Sequence, residues 1–231
     1  MLSVKNRFIA FVIIAVVHLT GQLVSNEWII WMTRPLLMPS LLWWFLSQIS
    51  KPFSFAHKRM IAALLLASAG DIFALLAKFN DWFFFADILC YLFMQLMYVL
   101  IFLSIVRFQD VSKVYISIAI LIFIVYGIIF LNYLLPHSGW LTLPILIYAS
   151  AVTLTIISSA ITITYFPRPL FIMLMAGTII YLISDTIIAT NKFITPVHLS
   201  GFWGLLAYIV AQALITKVIS KYKNETDNRE N

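Results

Sequence analysis

The segment LISDTIIA, residues 182–189, places one carboxylate inside an apolar run that extends from Leu170 to about Thr190. A helix of about 20 apolar residues crosses the hydrocarbon core of a bilayer, so this run is long enough to span a membrane. An acid at the centre of such a helix costs about 2.5–3.5 kcal/mol on insertion scales, and such residues usually face the bundle interior and have a function. Asp185 is therefore predicted to face other helices rather than lipid.

A second segment repeats this pattern nearer the N-terminus. Asp71 follows Ser68 and Gly70 within the apolar run from Met60 to Ala77. Both acidic segments are followed, at the same distance, by a Lys-Phe pair. We expect the fold to bring Asp71 and Asp185 together.

The whole chain shares this apolar character. Of its 231 residues, 63% are hydrophobic and 10% are charged, whereas soluble domains carry about 25% charged residues. Long apolar runs alternate with short polar breaks, which excludes a membrane β-barrel with its alternating strands of ~10 residues. The fold class is therefore all-α, a polytopic membrane helix bundle with a single domain over residues 1–220. Residues 221–231 are predicted to form a polar, disordered tail.

Eight transmembrane helices are predicted, separated by turn residues such as proline, asparagine and glycine. Their approximate ranges are 8–24, 35–49, 58–77, 83–106, 114–134, 141–164, 170–190 and 199–219. The second helix is predicted to begin at Pro35 because proline is tolerated in the first turn of a helix. Arg34 would then lie outside that helix, at the outer mouth of the bundle.

The distribution of basic residues predicts the orientation in the membrane. If both termini are cytoplasmic, most Lys and Arg residues lie inside, and only Arg34, Lys78 and Lys192 lie outside. Five tryptophans then fall near the outer ends of helices, as an interfacial belt would. They are Trp28, Trp31, Trp82, Trp140 and Trp203. Trp43 and Trp44 do not fit that belt.

Polar residues form stripes at helical spacing on four of the predicted helices. The stripes are Ser68 and Asp71; Asp87, Tyr91, Gln95 and Tyr98; Thr178, Tyr181 and Asp185; and Gly204, Tyr208 and Gln212. Because lipid rejects such groups, we expect the stripes to point inward and to line a polar pocket. A weaker row that begins at Tyr148 is interpreted as structural, since Ser and Thr in membrane helices usually bond a neighbouring turn. Lys78 and Lys192 are interpreted as side chains that reach to the interface.

Several chemistries are absent from the sequence. The net charge of +6 is explained by cytoplasmic loops rather than by nucleic-acid binding. The four histidines and single cysteine form no zinc motif, and no nucleophile elbow or phosphate-binding glycine loop is present. The remaining carboxylates, tyrosines, amides and Arg34 suit acid–base chemistry without metal or cofactor, or proton-coupled transport.

Five short motifs follow one another along the chain. They are Arg34-Pro-Leu-Leu-Met-Pro39, Ser68-x-Gly70-Asp71, Phe93-x-x-x-x-Tyr98, Ala176-Gly177-x-x-x-Tyr181-x-x-Ser184-Asp185-x-x-x-Ala189 and Tyr208-x-x-x-Gln212. This ordered set resembles the YhhN-like family of eight-helix membrane proteins. The family includes lysoplasmalogenases, which hydrolyse the vinyl ether of a lysoplasmalogen to a fatty aldehyde and a glycerophospho-base. The chain departs from the family pattern at Gln95, where the family usually has His, and at Arg34, where it usually has Lys.

The resemblance implies a lysophospholipid substrate, carrying choline or ethanolamine. The short tails and the absence of a soluble domain favour an integral protein of the bacterial inner membrane. Vinyl ether hydrolysis needs a protonated acid and an ionised carboxylate around a cation-like transition state, much as in an inverting glycosidase. Asp71 and Asp185 are predicted to be that catalytic pair, because two nearby carboxylates in a low dielectric do not readily both ionise. Predicted substrate-binding residues are Arg34, Asp87, Tyr91, Gln95, Tyr98, Tyr181, Ser184 and Tyr208.

Two other function classes stay open. Paired acids within a membrane also serve proton relays, so a proton-coupled transporter or lipid-binding protein is the first alternative. An ester-cleaving lysophospholipase is the second, although no nucleophile elbow is present. An enzyme releases product in detergent, whereas a transporter needs two compartments.

Overall fold

The structure, a computed structural model, describes residues 3–106 and 111–222. Within these residues the chain forms eight helices that are long and apolar enough to cross a membrane, and no strand. They are α1 (Val4–Leu23), α2 (Glu27–Leu46), α3 (Phe55–Leu76), α4 (Asp81–Ile105), α5 (Lys113–Leu134), α6 (Thr142–Ala160), α7 (Arg168–Ala189) and α8 (Ser200–Ile219). The predicted all-α bundle of eight membrane-spanning helices is confirmed. The predicted polar tail lies, from residue 223 onward, outside the described residues.

Helix α2 begins earlier than predicted, at Glu27 rather than Pro35. The Asn26 side chain caps the helix by accepting the N–H of Ile29 at 3.2 Å, and the acidic Glu27 suits the positive end of the helix dipole. Pro35 and Pro39 lie inside the helix, a position that membrane helices tolerate because neighbouring groups satisfy the freed backbone. As a consequence Arg34 lies about two turns inside a membrane-spanning helix, not in a loop.

The helices alternate in direction, so the bundle has two ends. At the end that carries the start of α1 and the finish of α8, here called the terminal face, Arg7 lies over Trp43 at 5.1 Å and Lys217 over Trp44 at 5.4 Å. These contacts explain why Trp43 and Trp44 do not fit the predicted belt: they belong to the terminal face, where basic side chains stack on their rings. That this face is cytoplasmic stays a prediction.

The other end, here called the opposite face, carries the tryptophans of the predicted belt. Trp82 and Trp140 pack together with ring centroids 5.3 Å apart, and Trp31 packs near Phe79 at 6.0 Å. At this end α7 continues into a π-helical turn, Thr190–Ile194. Within the part of the chain that the structure describes, Arg34, Lys78 and Lys192 are the basic residues of this face.

The solid core lies in the half of the bundle near the terminal face. Its largest fully buried side chains come mainly from α2, α3 and α4 and include Leu37, Phe45, Met60 and Phe102. Helix α5 is peripheral by contrast, since only its Ala119 and Leu134 are buried. The cavities described below lie in the opposite half, so the tightly packed half holds a more open half in place.

Candidate functional site

Asp71, on α3, is fully buried and receives three hydrogen bonds. The Arg34 Nε donates to Oδ1 at 3.4 Å and forms an ion pair. The hydroxyl of Tyr91 donates to Oδ1 at 2.9 Å, and the hydroxyl of Tyr208 donates to Oδ2 at 3.3 Å. Helices α2, α4 and α8 therefore each contribute one donor, and the arrangement favours an ionised carboxylate.

Glycine at position 70 lets the ring of Tyr91 approach α3 closely. A Cβ atom at Gly70 would lie 3.1 Å from two ring carbons of Tyr91, which is tighter than ordinary van der Waals contact. The Ser-x-Gly-Asp motif thus supplies both the acid and the space for the tyrosine that binds it.

Asp185, on α7, is only partly buried and has a different environment. Among the described residues, one hydrogen bond reaches it, donated by the hydroxyl of Tyr148 on α6 to Oδ2 at 2.8 Å. No cation that the structure describes forms a salt bridge with it. Asp185 lines a cavity whose other walls are mainly apolar.

Four tyrosines connect the two acids. Tyr181 lies with its hydroxyl 3.4 Å from that of Tyr148, and its ring packs on Tyr208 with centroids 6.0 Å apart. Tyr208 in turn packs on Tyr91 at 5.8 Å. Since Tyr148 bonds Asp185 whereas Tyr91 and Tyr208 bond Asp71, the two acids lie at opposite sides of one tyrosine cluster. They do not hydrogen-bond each other.

A third acid, Asp87, lies beside this cluster on α4. Its side chain is 8% exposed, and its Oδ1 atom is buried without a hydrogen-bond partner. Electrostatic interactions reach it from Arg34, Asp71 and Asp185. Asp87 is therefore a buried acid whose Oδ1 has no hydrogen-bond partner among the described residues, and it lies close enough to both predicted catalytic acids to interact with their charges.

Three predicted site residues share no hydrogen bond with either acid in the described part of the chain. Tyr98 donates a hydrogen bond to Gln212 at 2.5 Å within the packed core. Ser184 donates to the backbone oxygen of Gly204 at 2.8 Å and ties α7 to α8. Gln95 is buried, and its Oε1 atom has no hydrogen-bond partner. None of Tyr98, Ser184 and Gln95 lines either cavity described next.

The apolar cavity is the space beside Asp185, between α4, α5, α6 and α7. Its lining includes Phe84, Tyr91, Phe130, Tyr148, Val152, Leu182, Asp185, Ile188 and Lys192. Three tyrosines, Tyr91, Tyr126 and Tyr148, and one carboxyl thus border a space whose other walls are mainly hydrocarbon. The arrangement can hold an apolar chain next to an acid.

The polar cavity lies beside it, at the opposite face. It is lined by Gln22, Arg34, Ala74, Ala77, Lys78, Phe84, Ile188, Asn191, Lys192, Ser200, Gly201 and Leu205. Phe84, Ile188 and Lys192 line both cavities, which makes the two spaces neighbours across one wall. The site therefore has an apolar compartment with an acid and an adjoining compartment with three cations.

The polar stripes predicted from the sequence do not include three residues of this site. Tyr148 was interpreted as structural, yet it makes the one hydrogen bond to Asp185. Lys78 and Lys192 were interpreted as interfacial, yet both line the polar cavity. The signal was present in the spacing, because each lysine follows its acid by about two helical turns and so shares its face.

Among the residues that the structure describes, no three His, Cys, Asp or Glu side chains form a group able to hold a metal ion. No curated protein matches this chain, and no solved structure does. The sequence profile of the YhhN family matches residues 29–219, a range that extends from the first turn of α2 to the last residue of α8 and includes every residue of the tyrosine cluster. The chain belongs to the YhhN family.

Proposed function

We propose that this protein is a membrane-embedded lysoplasmalogenase, which hydrolyses the vinyl ether of a lysoplasmalogen to a fatty aldehyde and a glycerophospho-base. The observation that carries the proposal is the unequal pair of acids. Asp71 has three donors including a guanidinium, and Asp185 has one tyrosine hydroxyl and a hydrocarbon wall. Vinyl ether hydrolysis requires one carboxyl in each protonation state.

The two environments support an assignment of roles. Asp185 is the acid, because a partly buried carboxyl at a mainly apolar wall, without a salt bridge to any described cation, favours the protonated form. It delivers its proton to the β-carbon of the vinyl ether, which leaves an oxocarbenium ion and an ionised Asp185. Water then adds to the α-carbon and returns a proton to Asp185. The resulting hemiacetal breaks into the aldehyde and the alcohol.

Asp71 supports this reaction from behind the tyrosine cluster. It lines neither cavity, but Tyr91 donates a hydrogen bond to it and lines the apolar cavity beside Asp185. Its negative charge, conveyed through that hydroxyl, lowers the energy of the nearby cation-like transition state. Asp71 is thus a positioning and electrostatic residue, and Arg34 holds it ionised.

The apolar cavity supports the proposed substrate class. A single alkenyl chain fits a hydrocarbon-lined space within the bundle, and such a substrate is already dissolved in the membrane. This explains why the acid lies on a membrane-spanning helix.

The test is product release by the purified protein in detergent. Wild-type protein is expected to release aldehyde from a lysoplasmalogen and no fatty acid from the ester-linked analogue. Asp185→Asn should lower the rate by about 10²–10⁴-fold, the usual contribution of a general acid. Asp81→Asn, an exposed acid in the first turn of α4, is the matched control and should keep full activity.

Two outcomes would contradict the proposal. Release of fatty acid from the ester substrate would assign a lysophospholipase reaction to the same cavity. Release of neither product by a folded preparation would favour the transporter class, in which the buried acids carry protons between two compartments.

A further inference from the structure

The basic residues of the opposite face converge on one cavity. Arg34, Lys78 and Lys192 come from α2, from the residues after α3 and from the π-helical turn after α7, and all three line the polar cavity. Most basic residues of a membrane protein lie on its cytoplasmic side and face solvent. Three cations in one cavity at the opposite face form a site that can bind an anion.

The three cations are not equally available. Arg34 is committed to Asp71. Lys78 pairs with Glu27, but both side chains are exposed, and an exposed ion pair contributes only about 0–1 kcal/mol. Lys192 forms no salt bridge with any carboxylate that the structure describes, and its ammonium lies over the ring of Phe84 at 4.9 Å. Lys192 is therefore free to bind an anion, and Lys78 can exchange its partner at little cost.

Two neutral amide side chains share the lining of this cavity with the three cations and with apolar residues. The side chain of Gln22 lies within 3.4 Å of the His18 ring and packs so closely on α8 that a Cβ atom at Gly201 would lie 2.6 Å from its Oε1. Asn191 accepts the N–H of Val197 at 3.0 Å and fixes the loop before α8. The two amides therefore hold fixed positions beside the cations.

Lys192 connects this cavity to the acid. It lines both cavities, and it follows Asp185 by about two turns of helix, which is roughly 10 Å along the axis at 1.5 Å per residue. A molecule with an anionic head and an apolar chain can place the chain beside Asp185 and the anion beside Lys192. The bond between the two parts then lies next to the acid.

We propose that Lys192 and Lys78 form a phosphate-binding subsite that holds the head group of a lysophospholipid, with its chain in the apolar cavity. This inference rests on the proposed function for the identity of the lipid, but its chemistry, a phosphodiester held by two ammonium groups, does not depend on cleavage. Lys192 also sets the register of the chain, since its ammonium lies at the wall that the two cavities share.

The experiment is a binding measurement that needs no turnover. The probe is a 1-O-alkyl lysophospholipid, whose saturated ether is not cleaved, and the reference is the 1-O-alkylglycerol of the same chain, which lacks the phosphate. Lys192→Gln is expected to weaken binding of the phospholipid about tenfold, and the double variant with Lys78→Gln further, because charge-assisted hydrogen bonds are lost. Binding of the alkylglycerol should not change. The matched control, Lys217→Gln at the terminal face, should bind both probes as wild type does.

The outcomes separate this inference from the proposed function. Equal weakening of both probes, or no weakening of either, would overturn the phosphate subsite. Displacement of the lipid by glycerophosphocholine but not by equal inorganic phosphate supports a head-group site, whereas displacement by inorganic phosphate alone would overturn it in favour of a free-anion site. If the charge-dependent binding is found but wild-type protein releases no aldehyde, the subsite stands and the proposed reaction fails.

Discussion

Asp71 and Asp185 lie in similar local sequences, an apolar run followed by a Lys-Phe pair, but in very different structural environments. Asp71 is fully buried with an arginine and two tyrosine donors, whereas Asp185 is partly buried, borders a cavity and has one tyrosine donor. Burial alone therefore does not identify the reactive acid. The more buried carboxylate, Asp71, has an ion pair and two tyrosine donors that offset the cost of its burial. The less buried one, Asp185, borders a cavity that a ligand can enter.

Removal of each carboxylate should separate stability from activity. Asp71→Asn is expected to lower the free energy of unfolding by roughly 3 kcal/mol, the low end of the range for a buried ion pair, because it leaves the partly buried Arg34 guanidinium without its charged partner. Asp185→Asn removes no ion pair and should leave the stability near that of wild type. Thermal unfolding in detergent, with a reporter of helix content, measures both variants.

A second substitution sharpens that result. Combining Asp71→Asn with Arg34→Met removes the orphaned charge and should recover much of the lost stability, since replacing a whole buried ion pair by apolar groups is often neutral. Equal destabilisation by Asp71→Asn and Asp185→Asn would show that the two environments do not differ in the way described.

Loss of one hydrogen bond should affect the two acids unequally. Tyr148→Phe removes the hydrogen bond that Asp185 receives within the described part of the chain. A loss of kcat of roughly 10- to 150-fold is expected, because hydrogen bonds to charged groups are worth ~1.5–3 kcal/mol. Tyr91→Phe leaves Asp71 with Arg34 and Tyr208 and should cost less. Aldehyde release from the two variants gives the comparison, and a larger loss in Tyr91→Phe would reverse the assignment of the acid.

The smallest effect is expected at the glycines. Gly70→Ala forces the Tyr91 ring to shift by a few tenths of an ångström, and we expect a few-fold loss of activity with little change in stability, roughly 1 kcal/mol at most. Leu65→Ala is the control, since the Leu65 side chain lies exposed on the same helix and lines neither cavity. Similar rates in the two variants would show that the position of Tyr91 does not matter.

The pattern of long apolar runs predicted the eight-helix fold. The position of Arg34 was predicted wrongly because the start of one helix, α2, was predicted wrongly. Eight apolar runs specify eight helices because each must satisfy its own backbone in lipid. A helix that begins at Pro35 would leave Arg34 in a loop, and such a position does not predict the ion pair with Asp71. The cap at Asn26 was the competing signal that determined the boundary.

The sequence predicted many residues of the candidate site but not which of them contact each other. The stripes on α3, α4, α7 and α8 do bring Asp71, Tyr91, Tyr181 and Tyr208 together. The partition into one compensated acid and one exposed to a cavity depends on which helix lies against which, and helical periodicity within one segment carries no such information. The same limit concealed the contact between Tyr148 and Asp185.

The peripheral position of α5 has a consequence for kinetics. This helix buries only Ala119 and Leu134, yet Tyr126, Phe130 and Leu134 form one wall of the space beside Asp185. A lipid that reaches the acid past this wall arrives by lateral diffusion in the bilayer rather than from bulk water. The rate at which the lipid reaches Asp185 then depends on its mole fraction in the bilayer. Inert lipid added to a vesicle therefore dilutes the substrate, even when the amount of substrate per litre stays the same.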